Sequence, residues 1–168
     1  MSKGKGLGID MKSIMEEMAA DRKKRATSAE LNKAALVEAI EPIGLTRIEV
    51  DFNGSGDSGQ VDEVRYFIGK KEPKDLETIK RTLVQQAKIN ESHTYCETKK
   101  DWVTTTKSPT IEELVEQICY DLLSANHGGW EINEGSFGEF VFSFGKSNKI
   151  DLTFNQRVES VETTEETY

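Results

Sequence analysis

Two glycine-rich segments hold the side chains best suited to chemistry. The first runs Asp51-Phe52-Asn53-Gly54-Ser55-Gly56-Asp57-Ser58-Gly59-Gln60, with Asp62 and Glu63 just after it. Oxygen-bearing side chains at Asp51, Asn53, Ser55 and Asp57, with Gly56 in sixth place, reproduce the first half of a calcium loop, where alternate oxygens wrap one hard cation. The second half departs from that pattern. Ser58 stands where an apolar residue belongs, and Asp62 replaces the bidentate glutamate. The flanks alternate as strands rather than helices, so the segment reads first as a hairpin turn whose glycines take positive φ. A calcium or magnesium site on Asp51, Asn53 and Asp57 is kept beside that reading. A phosphate cradle fits less well, since the loop has no lysine and no helix directly after it.

The second segment is His127-Gly128-Gly129-Trp130-Glu131-Ile132-Asn133-Glu134-Gly135-Ser136-Phe137-Gly138-Glu139. Glu131, Glu134 and Glu139 could serve as acid–base pairs or cation ligands. Equally, Trp130 could plug the core edge while the glycines let the chain turn. His93, Cys96, Cys119 and His127 suggest zinc, but Cys119 falls inside a predicted helix, where a buried free thiol is the commoner fate. No nucleophile elbow or triad spacing is present, and no catalytic residue is assigned.

These segments must be positioned by regular elements. Ile48, Val50 and Phe52 alternate with Arg47, Glu49 and Asp51, and Val64, Tyr66 and Ile68 with Glu63, Arg65 and Phe67, giving one hairpin. Phe140, Phe142 and Phe144, then Ile150, Leu152 and Phe154, alternate about Gly145-Lys146-Ser147-Asn148 and give a second. A helix is predicted from Thr27, at capping-box spacing with Glu30, to Pro42 and Gly44. Another is predicted from Leu76 to Ala87, and a third from Ser108 as N-cap and Pro109 as first residue, with Ile111, Leu114, Val115, Ile118 and Leu122 on one stripe. Glu91 to Thr106 could hold a strand or an ordered loop. The fold class is therefore α+β, with two β-hairpins forming one antiparallel sheet of about four strands packed against helices.

The domain plan is a basic leader over 1–26, one domain over 27–157 with a variable insertion at 70–108, and an acidic tail over 158–168. Met11, Ile14, Met15 and Met18 make a short amphipathic arm within the leader. Of 168 residues, 36% are hydrophobic and 31% charged, which suits a soluble globular protein. The formal charge is −8, and residues 109–168 carry 3 basic against 12 acidic side chains, so this half repels phosphate backbones. No apolar run nears the roughly 20 residues of a membrane span, and the first residues lack a secretory signal. With two cysteines and no disulfide framework, a cytoplasmic location is expected.

The blocks DFNGSGDSGQVDEV, LVEQICYDLLSANHGGWEINEGSFGEFVFSF and KIDLTFNQRVESVETTEE resemble a domain family of bacterial, plasmid and phage genomes, over roughly Thr27 to Thr164. The resemblance implies no activity. It singles out Asp51, Gly54, Ser55, Gly56, Asp57, Ser58, Gly59 and Gln60, together with Gly128, Gly129, Trp130, Glu131, Asn133, Gly135, Gly138, Asn155 and Arg157.

The expected function is that of a small acidic interaction protein of a phage or mobile element, engaging a host protein or nucleoprotein complex. Direct nucleic-acid binding is disfavoured, and no cofactor beyond the calcium or magnesium option is called for. The alternative is a small ligand-binding or cation-assisted enzymatic domain using the 51–63 and 127–139 loops as one polar cleft. In either case the binding candidates are Asp51, Asn53, Ser55, Asp57, Ser58, Gln60, Glu63, Trp130, Glu131, Asn133, Glu134, Asn155 and Arg157. Asp51, Asn53, Asp57 and Gln60 are expected to meet Trp130, Glu131 and Asn133 at one end of the sheet.

Overall fold

Both predicted hairpins form, and they share one sheet in a computed structural model that describes residues 10–160 and 163–165. The leader glycines Gly4, Gly6 and Gly8, and the tail residues Glu162 and Glu166, lie outside the described residues. Strands β1 (Arg47–Ser55) and β2 (Ser58–Phe67) make the first hairpin, and strands β5 (Ser136–Ser143) and β6 (Lys149–Gln156) the second. Antiparallel pairing of β1 with β5 joins them in the order β2-β1-β5-β6. Side-chain alternation then sorts the faces. Ile48, Val50, Phe52, Tyr66, Phe140 and Phe142 are buried on one face, whereas Arg47, Glu49, Asp51 and Asn53 line the other. A bulge between Asp51 and Phe52 relative to β2 leaves Asp62 unpaired; the Val61 N–H there donates to the Tyr120 hydroxyl at 3.1 Å.

Helix α3 (Ile111–Asn126) covers the inner face with Ile111, Leu114, Val115, Ile118, Cys119 and Leu123. It begins two residues later than predicted. Thr110 is the N-cap, accepting from the Glu113 N–H while the Glu113 carboxylate accepts from the Thr110 N–H. This capping box leaves Pro109 to offer its carbonyl to the Val84 N–H.

Helix α1 (Met11–Ile40) is continuous, which corrects both the expected start at Thr27 and the separate arm before it. No glycine or proline interrupts residues 11–40, and Asp10 caps the helix through the Lys12 N–H. The Thr27 hydroxyl bonds back to the Lys23 carbonyl as an interior threonine does. The second half buries Ala29, Asn32, Ala35, Leu36 and Ile40, but every described side chain from Asp10 to Lys24 is exposed. About 20 Å of helix at 1.5 Å per residue therefore buries no side chain, although Ile14 to Arg22 run beside Ser124, Gly128 and Ile132 across an open groove.

The predicted helix over Leu76 to Ala87 is also shorter. Helix α2 (Leu76–Lys80) stops because the following residues pair with the start of α3, Val84 N–H to Pro109 and Ile111 N–H to Thr82. Val84 and Ala87 are still buried. Strands β3 (Ile89–Cys96) and β4 (Asp101–Lys107) form a separate antiparallel hairpin, settling the segment left between strand and loop. The architecture is thus α+β, with a four-stranded antiparallel sheet, a two-stranded one, and helices packed on the larger sheet. No described helix is long and apolar enough to cross a membrane.

Candidate functional site

The β1–β2 turn and the 127–135 loop meet at one end of the sheet and lock together. The Gly56 N–H donates to the Asn133 carbonyl at 2.9 Å and the Asp57 N–H to the Glu131 carbonyl at 3.1 Å. In return, Asp57 Oδ1 accepts from the Asn133 N–H at 3.4 Å. Both Asp57 (φ 66°) and Asn133 (φ 58°) occupy the left-handed region that these residue types tolerate better than most.

Trp130 explains the glycines. Its indole lies on the floor made by the cross-strand pair Gly54 and Gly59, where a Cβ at position 59 would stand 2.2 Å from the ring and one at position 54 would stand 2.9 Å away. The same ring meets Phe52 edge-on at 5.7 Å and is only 8% exposed. At Gly135 a Cβ would come within 1.9 Å of the Gly54 carbonyl oxygen, and φ is +68° besides. These glycines provide room for one ring and one close backbone crossing.

Arg157 fastens the junction from the other side. Its guanidinium donates to the carbonyls of Gly54 (2.8 Å), Ser136 (3.2 Å) and Glu134 (3.4 Å) and to Asn53 Oδ1 (2.8 Å), and it lies 4.9 Å over the Phe137 ring. Asn155 donates to the Phe137 carbonyl at 3.3 Å. One cation thereby ties together the ends of β1, β5 and β6.

The remaining candidates are dispersed. Asp51 and Glu63 lie on the outer sheet face, where Arg65 reaches Asp51 at 2.9 Å, Glu63 at 3.0 Å, Glu139 at 3.1 Å and Glu49 at 3.2 Å. Desolvation works against the Arg65 charge, but the field of Asp51 and the hydrogen bonds that Arg65 donates to Glu49 and Asp51 outweigh it and hold the guanidinium protonated beyond its ordinary range. Gln60 donates to Asp62, and Ser58 to the Ser55 carbonyl. Ser55 and Glu134 are exposed, while Glu131 is half-buried with a buried Oε2 that has no hydrogen-bond partner. The expected meeting of the two loops therefore involves Asp57, Glu131 and Asn133, and leaves Asp51 and Gln60 outside it.

The three cation candidates go to three partners, Asp51 to Arg65, Asn53 to Arg157 and Asp57 to Asn133. Among the described residues no group of three or more His, Cys, Asp and Glu side chains is placed to hold a metal. His127 stacks on Phe154 at 3.8 Å and His93 on Trp102 at 5.0 Å, and burial raises the Cys119 thiol far above its usual range. Two openings border the junction. A cleft of about 90 Å³ lined by residues such as His127, Trp130, Ser136 and Phe154 has room for a few water molecules. A groove of about 450 Å³ separates Gly128, Gly129 and Ile132 from α1 residues such as Ile14 and Met18.

Two further openings lie away from the junction. A groove of about 690 Å³ runs between α1 and residues 86–88, and a polar pocket of about 260 Å³ adjoins it over α3. In that pocket Asp121, 4% exposed, was missed by the sequence reading. Its signal was available, since it stands three residues after Ile118 on the apolar stripe of α3. The β3–β4 hairpin also carries an uncovered aromatic group, Trp102 (59% exposed) with Tyr95 and His93 on the same face.

A family model described as "Family of unknown function (DUF6878)" matches residues 28–168. No curated protein and no solved structure matches the chain.

Proposed function

We propose that this chain, which belongs to the family of unknown function DUF6878, is a non-enzymatic interaction protein of a phage or mobile element that docks on a host protein or nucleoprotein complex in the cytoplasm. The observation that carries this reading is the closed junction. Its glycines and polar groups hold the two loops to one another, the cleft beside Trp130 is only about 90 Å³, and the larger groove of about 450 Å³ next to it is walled by α1 residues such as Ile14 and Met18 rather than by the polar candidates. Large apolar side chains are instead uncovered on the first half of α1 and on the β3–β4 hairpin. Met11, Met15 and Met18 are 52–66% exposed on α1, and Trp102 and Tyr95 are uncovered on the β3–β4 hairpin. Flexible methionines and aromatic rings are the side chains that binding surfaces favour. The matched family region begins at residue 28, so the exposed first half of α1 lies outside it. The cation-assisted alternative has less support, because Asp51, Asn53 and Asp57 are committed to separate partners.

The test is quantitative capture from host extract on immobilised full-length protein, read by mass spectrometry. Met15→Asp with Met18→Asp, or Trp102→Ala, should remove the captured partner, while Asp57→Ala should retain it. Loss with Asp57→Ala alone, and retention with both surface variants, would return the site to the loop junction.

A further inference from the structure

We propose that the groove between the middle of α1 and residues 86–88 docks an acidic amphipathic helix of a partner protein. This surface is separate from Met15, Met18 and Trp102, so the inference is independent of the docking surfaces above.

The groove, of about 690 Å³, brings apolar surface and positive charge together. Ala20, Lys24, Thr27 and Leu31 recur along one face of α1 at helical spacing, and Lys23 and Lys88 also line the space. Leu31 is 68% exposed, so a large apolar side chain is left for a docked residue to cover.

The charge of the groove is uncompensated. Other lysines of the chain face a carboxylate, Lys12 that of Glu16, Lys33 that of Glu30 and Lys80 that of Glu112. Among the described residues, no acidic side chain lines the groove, and Lys23, Lys24 and Lys88 have no carboxylate in ion-pair range, in a chain whose formal charge is −8. The acids of the adjoining pocket are directed at Arg25, Asp21 at 2.8 Å and Asp121 at 3.8 Å. The Lys88 ammonium donates to Ser108 Oγ at 2.7 Å, which fixes one of the three charges. Three neighbouring ammonium groups repel one another, and a row of carboxylates relieves that repulsion.

Shape selects a helix. From Ala20 to Leu31 the face runs about 16 Å, or roughly three helical turns. Ala20, Thr27 and Ser28 are small, so a second helix can lie close along α1 with its apolar residues in the groove and its glutamates toward the lysines. A nucleic-acid strand is less suited, because the lining offers no aromatic ring for stacking and no arginine fork, and the charge of the whole chain opposes it. A fatty acid needs an enclosed slot, whereas Leu31 stands open to solvent.

The test is fluorescence anisotropy of the full chain with a labelled synthetic peptide that has leucine at helical spacing and glutamate elsewhere. Counterparts carry glutamine or lysine in place of glutamate. The glutamate peptide should bind one to one, about tenfold or more tighter than the glutamine peptide, and the lysine peptide should not bind. Lys23→Gln with Lys88→Gln should remove that preference for glutamate and flatten the salt dependence, and Leu31→Gln should weaken the glutamate and glutamine peptides alike. Met15→Asp with Met18→Asp should leave the affinity unchanged, which separates this groove from the surfaces above. The substituted lysines and Leu31 are exposed, so their variants should keep the thermal midpoint of the unmodified chain. Absence of binding, equal affinity for the glutamate and glutamine peptides, or displacement of the peptide by a single-stranded oligonucleotide or by oleate at equal concentration would overturn the proposal.

Discussion

The loop junction and the α1–α3 pocket differ in how they treat polar atoms, although each holds one buried carboxylate oxygen without a hydrogen-bond partner, Glu131 Oε2 and Asp121 Oδ2. At the junction, backbone donors of Gly56 and Asp57 find carbonyls of the facing loop, and Arg157 gathers four acceptors around one guanidinium. In the pocket, a carboxylate sits on the buried stripe of an ordinary amphipathic helix with an oxygen that nothing in the protein satisfies. The first region has a sequence crowded with special residues, yet it is closed. The second has an unremarked sequence, yet it is open and unsatisfied. Glycines mark where backbone or a ring must come close, which can serve packing as readily as binding. A carboxylate this buried, with Arg25 3.8 Å away as its ion-pair partner, is not explained by packing, because a neutral residue would pack there with less penalty.

This contrast implies opposite responses to substitution. The largest effect is expected at the junction, where Trp130→Ala removes a buried indole from its glycine floor and should lower unfolding free energy by about 3–5 kcal/mol in urea denaturation. Next comes Arg157→Met, which keeps the stem but strands the Gly54 and Ser136 carbonyls; a loss of about 2 kcal/mol is expected in the same assay. In the pocket the sign should reverse. Asp121→Asn replaces an unsatisfied buried carboxylate with a neutral amide of the same shape, and a gain of about 1 kcal/mol without ligand would set the two regions apart. A loss there would show that Asp121 is already satisfied and would remove the contrast.

Helix α3 sharpens the comparison further through pH. Glu113 is held below its ordinary range by the hydrogen bond from Lys107 and by the Thr110 cap. Its folded pKa lies under the unfolded one, so its contribution is present above the usual carboxylate range and is lost as pH falls through the folded value. Glu116 is pushed up by burial and then by Glu112 and Glu113. Its contribution is present at low pH and is lost as pH rises through the raised value. Thermal melts should show Glu113→Gln destabilising at pH 7 and neutral at pH 3, and Glu116→Gln stabilising at pH 7.

Much of the frame was legible in the sequence because it is local. The alternation of Ile48, Val50 and Phe52, and of Phe140 and Phe142, predicts buried strand faces, and the Gly/Asn/Asp turns between them predict hairpins. Pairing of β1 with β5 follows once two hairpins must share one core. The errors came where a distant partner decides the outcome. Leu76 to Ala87 has helical spacing throughout, but the α3 entry at Thr82 to Pro109 claims its second half. Thr27 with Glu30 has the spacing of a cap, but capping needs a break before it, and residues 11–26 supply none. Ser108 before Pro109 was a plausible N-cap, and the stronger reciprocal pair Thr110 and Glu113 stood two residues on. For the site, the meeting of the two loops could be anticipated from their matching composition. That Trp130 fills the space over Gly54 and Gly59 could not, because the contact joins residues more than seventy positions apart.

Gly54 and Gly59 are glycines because the Trp130 ring occupies the space a side chain would need, whereas Gly56 serves the turn. The most direct measurement is a double-mutant cycle by urea denaturation with Gly59→Ala, Trp130→Leu and the pair. Gly59→Ala alone forces a Cβ into the indole and should be strongly destabilising, whereas in the Trp130→Leu background the ring is gone and most of that penalty should vanish, a coupling above about 1 kcal/mol. Additive effects, with Gly59→Ala equally costly in both backgrounds, would contradict the claim and leave the glycines free for a ligand.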